Sequence, residues 1–173
     1  MKKKIIQVPS KYVYIQDGQT HCDDAFVQAV RAMEDANGNY HLRFVAQILQ
    51  HGVEAGTIIE IDQNETIVAT ILDERLHSLN SVPIGYSHLA SDLCIVKKID
   101  EDEAWEILKA IVVTLDGKCQ DRDIVKSRIE ELAEEIIDYL KQLPVYLYGK
   151  EFNAIHGARN YLAQVLGVNI CQL

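Results

Sequence analysis

Two runs of β-forming residues, at 57–61 and 66–72, constrain the fold of this chain more than any other feature. The runs read TIIEI and TIVATIL, and the four polar residues DQNE separate them. Apolar and β-branched runs on either side of a short polar interval are typical of a β-hairpin, here with a four-residue turn. Because an isolated hairpin is marginally stable in water, the pattern predicts a larger sheet that includes these two strands.

Further strands are expected at 12–16, 40–48 and 93–99, with a short edge strand at 145–148. Residues 73–91 have weak periodicity and contain proline and glycine, so we interpret them as mainly loop. Helices are predicted at 21–36, 100–115, 121–143 and 151–166 from apolar spacings of three and four. Asp100 with Glu103 has the spacing of an N-terminal capping box.

These elements predict an α+β or α/β fold in which one mixed sheet of about five strands is layered against helices. Residues 1–99 form the sheet-rich part with one helix, and residues 100–173 form the helical part. The interval between the two parts is not rich in glycine, serine or proline. We therefore expect a single domain over residues 1–173, which is an ordinary domain size.

The chain is acidic, with 17 Lys and Arg against 26 Asp and Glu and a formal net charge of −9. This balance argues against long nucleic acid and anionic membranes as partners, because both require cationic surface. We expect no secretory signal and no membrane span, since no apolar run reaches the necessary length. The four cysteines are widely spaced without a paired motif, which favours reduced thiols and a cytoplasmic protein.

More than half of the acidic residues lie between positions 100 and 151, on the predicted helices. A charged outer face is what an amphipathic helix presents to solvent, and this is the first interpretation. The second is that the acidic surface docks a basic protein partner.

Chemically suggestive residues are concentrated at 17–29, where the sequence reads DGQTHCDDAFVQA between a predicted strand and a predicted helix. His21, Asp23 and Asp24 offer one imidazole and two carboxylates within four positions, a ligand mixture that suits Mn²⁺, Zn²⁺ or Fe²⁺. The alternative is structural: Thr20 as the helix N-cap, with Asp23 and Asp24 in the first turn, explains the same acids by helix energetics.

The same segment resembles the melanocyte proliferating gene family, a branch of the DHH-type phosphoesterases, in its Gly-x-x-His-(Ala/Cys)-Asp-(Asp/Glu) motif. The matching residues are Gly18, His21, Cys22, Asp23, Asp24, Phe26 and Ala29. The resemblance implies that the histidine and the acids bind catalytic divalent metal and that the reaction is phosphodiester hydrolysis. It is confined to this N-terminal segment, and the Asp-His-His triplet of such enzymes is absent from the sequence.

The leading hypothesis is a small cytoplasmic metal-dependent hydrolase, a phosphoesterase acting on a small phosphorylated or nucleotide substrate. Its divalent ion, Mn²⁺ or Zn²⁺, would be held by His21, Asp23, Asp24 and His77, with Asp23 and Asp24 as the catalytic residues. Glu60 and Asp62 are weaker candidates to complete the ligand shell.

The alternative hypothesis is a non-enzymatic acidic binding protein, such as an adaptor, an effector chaperone or an immunity-type inhibitor, that acts through protein–protein contacts. Neither a dinucleotide-binding fingerprint nor a Walker loop occurs in the sequence.

Overall fold

A computed structural model describes residues 5–8, 13–16, 19–22, 39–42, 51–73, 75–114, 116 and 118–171. Their main element is a five-stranded sheet, built from β5 (Gly56–Ile61), β6 (Thr66–Leu72), β7 (Arg75–Val82), β8 (Val145–Tyr148) and β9 (Ile170–Cys171). The strand order is β7-β6-β5-β8-β9. β5, β6 and β7 pair antiparallel, whereas β5, β8 and β9 are parallel, so the sheet is mixed.

Five helices accompany the sheet in the described ranges. They are α1 (Ser87–Lys97), α2 (Glu101–Ala110), α3 (Gln120–Ile136), α4 (Lys150–Ala154) and α5 (Ala158–Leu166), and a short 3₁₀ turn, Ile137–Tyr139, follows α3. The predicted cap of α2 is confirmed, because the Asp100 side chain accepts a hydrogen bond of 2.9 Å from the Glu103 N–H. The predicted class, one mixed sheet layered against helices, is also confirmed.

The central strand β5 is buried on both faces. All six residues of β5 are buried, and successive side chains point to opposite sides. Ile59 and Ile61 pack into the core shared with the helices, together with Leu93, Ile129 and other residues. Ile58 packs into a smaller apolar cluster on the other face. Burial on both sides explains why this strand reads as an almost continuous apolar run.

Among the described residues, four short strands precede the main sheet. β1 (Ile5–Val8) pairs parallel with β4 (Asn39–Leu42), and β2 (Val13–Gln16) pairs antiparallel with β3 (Gln19–Cys22). The predicted strand at 12–16 is thus found as β2. The predicted strand at 40–48 is found over its first residues as β4, and its remainder lies outside the described residues. β2 and β3 both contact β7.

The predicted start of the first helix is wrong. Thr20 and His21 belong to β3 and pair with Ile15 and Tyr14, so Thr20 does not cap a helix. The described strands on either side of residues 17 and 18 pair antiparallel with each other. The rest of that predicted helix lies outside the described residues.

Two further predictions between the hairpin and α2 are wrong. Residues 75–82 form β7, which pairs with β6, where a loop was predicted. Residues 87–97 form α1, where a strand at 93–99 was predicted. β7 is the last strand on its side of the described sheet, and such a strand accepts polar residues more readily than a central one.

Two C-terminal predictions also need correction. The predicted edge strand at 145–148 lies inside the sheet, between β5 and β9. The predicted helix at 151–166 is broken into α4 and α5 at residues 155–157. Gly157 there has φ +81°, and a Cβ at this position would lie 2.0 Å from the Val113 carbonyl oxygen. The chain therefore turns where a continuous helix would collide with the loop after α2.

In the part of the chain that the structure describes, no helix is long and apolar enough to cross a membrane. The expectation of a single domain over residues 1–173 stays a prediction.

Candidate functional site

A crevice is expected where β5 and β8 end, because these parallel neighbours have their carboxyl ends at the same edge of the sheet. From β5 the chain turns through residues 62–65 into β6 on one side. From β8 it passes through Gly149 into α4 and reaches β9 on the other side. Such a reversal of direction leaves a crevice at the strand ends, which is where open α/β sheets bind ligands.

The turn at 62–65 is fastened to the start of α1 by backbone hydrogen bonds. Tyr86 N–H donates to the Asp62 carbonyl at 2.9 Å, and Ser87 N–H donates to the Gln63 carbonyl at 3.0 Å. Within the turn, Asp62 N–H donates to the Glu65 carbonyl at 2.9 Å, and Gln63 N–H donates to Asp62 Oδ1 at 2.8 Å. The turn is therefore held in one geometry both by hydrogen bonds within residues 62–65 and by hydrogen bonds from the start of α1.

Two glycines allow the backbone to approach closely at this edge. A Cβ on Gly85 would lie 2.4 Å from the carbonyl oxygens of both Asp62 and Gln63. A Cβ on Gly149 would lie 2.7 Å from the Ile61 carbonyl oxygen, and this glycine has φ +147°. Any larger residue at position 85 or 149 would push α1 or α4 away from the end of β5.

An open cavity of about 630 Å³ adjoins the turn. It is lined by Asp62, Gln63, Asn64, Glu65, Ser81 and Pro83. This volume is within the range of small-molecule sites, about 300–1,000 Å³. Ser81 Oγ donates to Glu65 Oε2 at 2.8 Å, which holds that carboxylate at the wall of the cavity.

The charges that act on the Tyr86 hydroxyl at this edge are negative. Burial raises the pKa of the Tyr86 hydroxyl, and the charges of Glu151 and Asp62 raise it further. Tyr86 therefore stays neutral at physiological pH. Its hydroxyl is close enough to be affected by two carboxylates, Asp62 after β5 and Glu151 in α4. Its ring packs edge-on against Trp105 at a centroid distance of 5.9 Å. Lys150, at the start of α4, is an exposed basic residue beside Glu151.

The predicted metal ligands are only partly within the described residues. The backbone of His21 lies in β3, and Asp23 and Asp24 lie outside the described residues. His77 is exposed on β7, at a β-bulge where the pairing with β6 skips one residue. Since β3 contacts β7, the strands that carry the two histidines are neighbours. The ligand set of His21, Asp23, Asp24 and His77 stays a prediction.

The two weaker candidates for metal ligands, Asp62 and Glu60, lie in different surroundings. Asp62 lies in the cavity wall. Glu60 is 5% exposed and lies within β5, on the face that carries Ile58, away from the cavity. Among the described residues, no group of three or more His, Cys, Asp or Glu side chains could hold a metal ion.

Sequence reasoning missed Gly85, Tyr86, Gly149 and Glu151. A signal existed for Gly149, because a glycine directly between an apolar strand and a helix marks a close backbone approach. For Gly85 and Tyr86 the deciding fact is their contact with residues 62 and 63, which is a tertiary contact and leaves no local pattern.

Comparison with known proteins fixes the fold. No protein-family model and no curated protein sequence matches the chain. Among solved structures, ethanolamine utilization protein EutJ from Carboxydothermus hydrogenoformans aligns with TM-score 0.62 and 25% identity over 76% of this chain and 48% of its own. MreB 5 of Spiroplasma citri bound to AMPPNP aligns with TM-score 0.70 and 12% identity over 96% of this chain and 62% of its own.

The PilM-PilN type IV pilus biogenesis complex aligns with TM-score 0.59 and 15% identity over 94% of this chain and 53% of the matched chain. The fold is that of the actin-like ATPases. The chain spans about half to three fifths of the length of these neighbours.

The predicted relationship to DHH-type phosphoesterases is therefore wrong, and with it the prediction of a metal-dependent phosphoesterase. The motif at 18–29 led to a wrong prediction because the family's motif requires a strand that is followed directly by a helix. Its Thr20-His21-Cys22 portion instead lies in a strand of an antiparallel pair.

Proposed function

We propose that this chain is a non-catalytic binding protein of the actin-like ATPase fold that acts in the cytoplasm through protein–protein contacts. One observation carries the proposal. At the edge where this kind of sheet binds ligands, the charged residues that line the cavity within the described ranges, Asp62 and Glu65, are both acidic. A site of this charge attracts a basic segment of a partner protein and repels a bare phosphate group.

The hydrogen bonds of the turn support the same conclusion. A phosphate is usually held by backbone N–H groups, helix N-termini or basic side chains. Here the N–H groups of Asp62 and Gln63 are used inside the turn, and those of Tyr86 and Ser87 are used to hold it. These four donors are therefore not available to a phosphate, whereas the carboxylates remain able to accept from a partner.

The similarity to a chain of the PilM-PilN complex adds support, because that structure is named as a complex of two proteins. The net charge of −9 would speed association with a basic partner and make the rate depend on salt.

The test uses Trp105, the single tryptophan of the chain, as a fluorescent reporter, since its ring contacts Tyr86 beside the crevice. The probe is a synthetic peptide of alternating glycine and arginine, and the matched control peptide carries citrulline, which keeps the shape of arginine without its charge. We expect the arginine peptide to change the fluorescence and the citrulline peptide to have little effect.

Two double variants locate the binding. Asp62→Asn with Glu65→Gln removes the cavity charges and keeps their acceptor oxygens. Glu134→Gln with Glu135→Gln removes the same charge from an exposed part of α3. The first pair should weaken binding by about two- to thirtyfold, from about 0.2–1 kcal/mol for each exposed ion pair. Equal weakening by both pairs would show non-specific attraction and refute the proposed site.

A second candidate is nucleotide binding, favoured by the cavity volume and by the likeness to MreB 5 bound to AMPPNP. Carboxylates such as Asp62 and Glu65 would contact phosphates through a divalent cation, so the predicted divalent metal belongs with this candidate. Neither Mn²⁺ nor Zn²⁺ is singled out by these oxygen ligands.

Thermal unfolding distinguishes the two candidates, because a ligand of the native state raises Tm. Dialysed protein is heated with AMPPNP and Mg²⁺, and with each component alone. The protein-binding proposal expects no shift. A rise that requires both components and is lost in Asp62→Asn would establish nucleotide binding at this site instead.

A further inference from the structure

Ser87 faces two acceptor atoms with a single hydroxyl proton. Its Oγ lies 2.6 Å from the Gln63 carbonyl oxygen and 2.9 Å from Asn64 Oδ1. A serine hydroxyl has one donor hydrogen and two acceptor lone pairs. Each short distance can therefore be a full, unshared hydrogen bond when the hydroxyl donates to one neighbour and accepts from the other.

The Gln63 carbonyl can only accept, so the hydroxyl donates to it, which suits the shorter distance. The Asn64 amide has a different option, because a half-turn of the amide exchanges its oxygen and nitrogen. We infer that Asn64 donates from Nδ2 to Ser87 Oγ and presents Oδ1 to the cavity, and that Ser87 is the positioning residue that fixes this orientation. No hydrogen bond is then lost at the turn.

The orientation of Asn64 affects which chemical group the cavity binds, and this step rests on the proposed function. With Asn64 in this orientation, the cavity offers acceptor oxygens from Asp62, Asn64 and Glu65 together. A guanidinium carries five N–H donors in a planar fork and can serve several such oxygens, whereas a phosphate offers mainly acceptors. Ser87 would thus favour an arginine side chain of a protein partner as the group that enters the cavity.

Asn64→Asp tests the orientation directly. Under the inferred arrangement this variant replaces the Nδ2 donor by an oxygen that competes for the Ser87 proton, so one hydrogen bond is lost. Amide hydrogen exchange at residues 62–65 should then be about two- to tenfold faster, as expected for one bond. Measurement at about 1 M salt screens the added charge. Unchanged or slower exchange would overturn the inference. It would mean that an Asn64 oxygen already accepts the hydrogen bond from Ser87, since an aspartate oxygen could then take its place and no hydrogen bond would be lost.

Three serine variants supply the controls. Ser87→Ala should accelerate exchange at 62–65, and Ser87→Thr, which keeps a hydroxyl, should restore it. Ser91→Ala removes a hydroxyl from the same helix that bonds the Ser87 carbonyl at 3.1 Å, and should leave the turn unaffected. Equal effects of Ser87→Ala and Ser91→Ala would indicate general loosening of α1 and would count against a positioning role.

The exchange measurement needs no ligand, so it separates the two proposals. If the arginine peptide fails to bind while exchange behaves as stated, the proposed function fails and the orientation of Asn64 stands. If the peptide binds wild type and Asn64→Asp exchanges normally, the proposed function stands and this inference fails. When both hold, Ser87→Ala should weaken peptide binding several-fold and Ser87→Thr should not.

Discussion

Gly85→Ala is the sharpest test of the close packing that holds the turn at 62–65. The added Cβ would lie 2.4 Å from two backbone carbonyl oxygens, those of Asp62 and Gln63. Neither oxygen belongs to a flexible side chain that could rotate away, so the turn or the start of α1 must move. The movement also stretches the two backbone bonds that Tyr86 and Ser87 donate to the turn.

The cost follows from these contacts. Forcing a methyl group into a packed position costs about 1–3 kcal/mol, and weakening two hydrogen bonds adds up to about 1.5 kcal/mol each. Loss of glycine's freedom in the unfolded chain offsets about 0.4–1 kcal/mol. We expect a net destabilisation near 3 kcal/mol, and at about 2–4 °C for each kcal/mol Tm should fall by about 6–12 °C.

Thermal unfolding followed by circular dichroism measures the fall, with Gly167→Ala as the matched control. Gly167 has φ +66°, and no atom of the described residues lies within 4 Å of the position that a Cβ would take. Alanine there meets backbone strain without a collision and should cost about 1 kcal/mol. If Gly85→Ala unfolds within about 2 °C of wild type, on the order of 1 kcal/mol or less, the close approach of α1 to the turn is refuted.

Further predictions address the core, a buried tyrosine and the predicted metal ligands. Thr70 is 1% exposed and its hydroxyl has no hydrogen-bond partner among the described residues, so Thr70→Val should leave Tm unchanged or raise it, and a large fall would contradict this. Burial and the hydrogen bond to Glu130 raise the pKa of Tyr161 to about 12. Because the pKa is higher in the folded protein than in the unfolded chain, protonated Tyr161 contributes fully to the free energy of unfolding below about pH 10, and this contribution is lost as the pH rises towards 12. Urea titrations should therefore show the free energy of unfolding falling between these pH values, and Tyr161→Phe should reduce the fall. If the predicted ligand set binds an ion, dialysed protein should gain thermal stability with Mn²⁺ or Zn²⁺, and Asp23→Asn with Asp24→Asn should abolish the gain.

Elements with strong local signals could be predicted from the sequence. The β5–β6 hairpin was predictable because two apolar runs enclose a polar turn, and α2 because Asp100 and Glu103 form its cap. α1 was missed because its apolar residues do not form a clean stripe. Ile95 is 74% exposed and Val96 51% exposed, so the run at 93–96 reads as a strand although it belongs to a helix.

The site was predictable only where it coincides with a strand end. Asp62, at the end of an apolar run, was named from the sequence only as a weaker candidate ligand of the predicted metal ion. Its neighbours Tyr86 and Gly85 lie more than twenty positions later, and Glu151 lies later still, so only the folded sheet brings them together. The motif at His21 attracted more weight because its polar residues are adjacent in sequence, although adjacency says little about which side chains meet across a fold.

Fold and chemistry are separable at this edge for a physical reason. The turn at 62–65 is positioned by bonds from the backbone of residues 86 and 87 and by the missing side chains of Gly85 and Gly149. None of these contacts depends on which charges the turn itself carries. A chain can therefore keep this turn in place while the side chains that line the cavity beside it change. Under the proposed function the ligand is selected by the charges at Asp62 and Glu65, so exchanging these two carboxylates for amides tests that function more directly than further comparison of folds does.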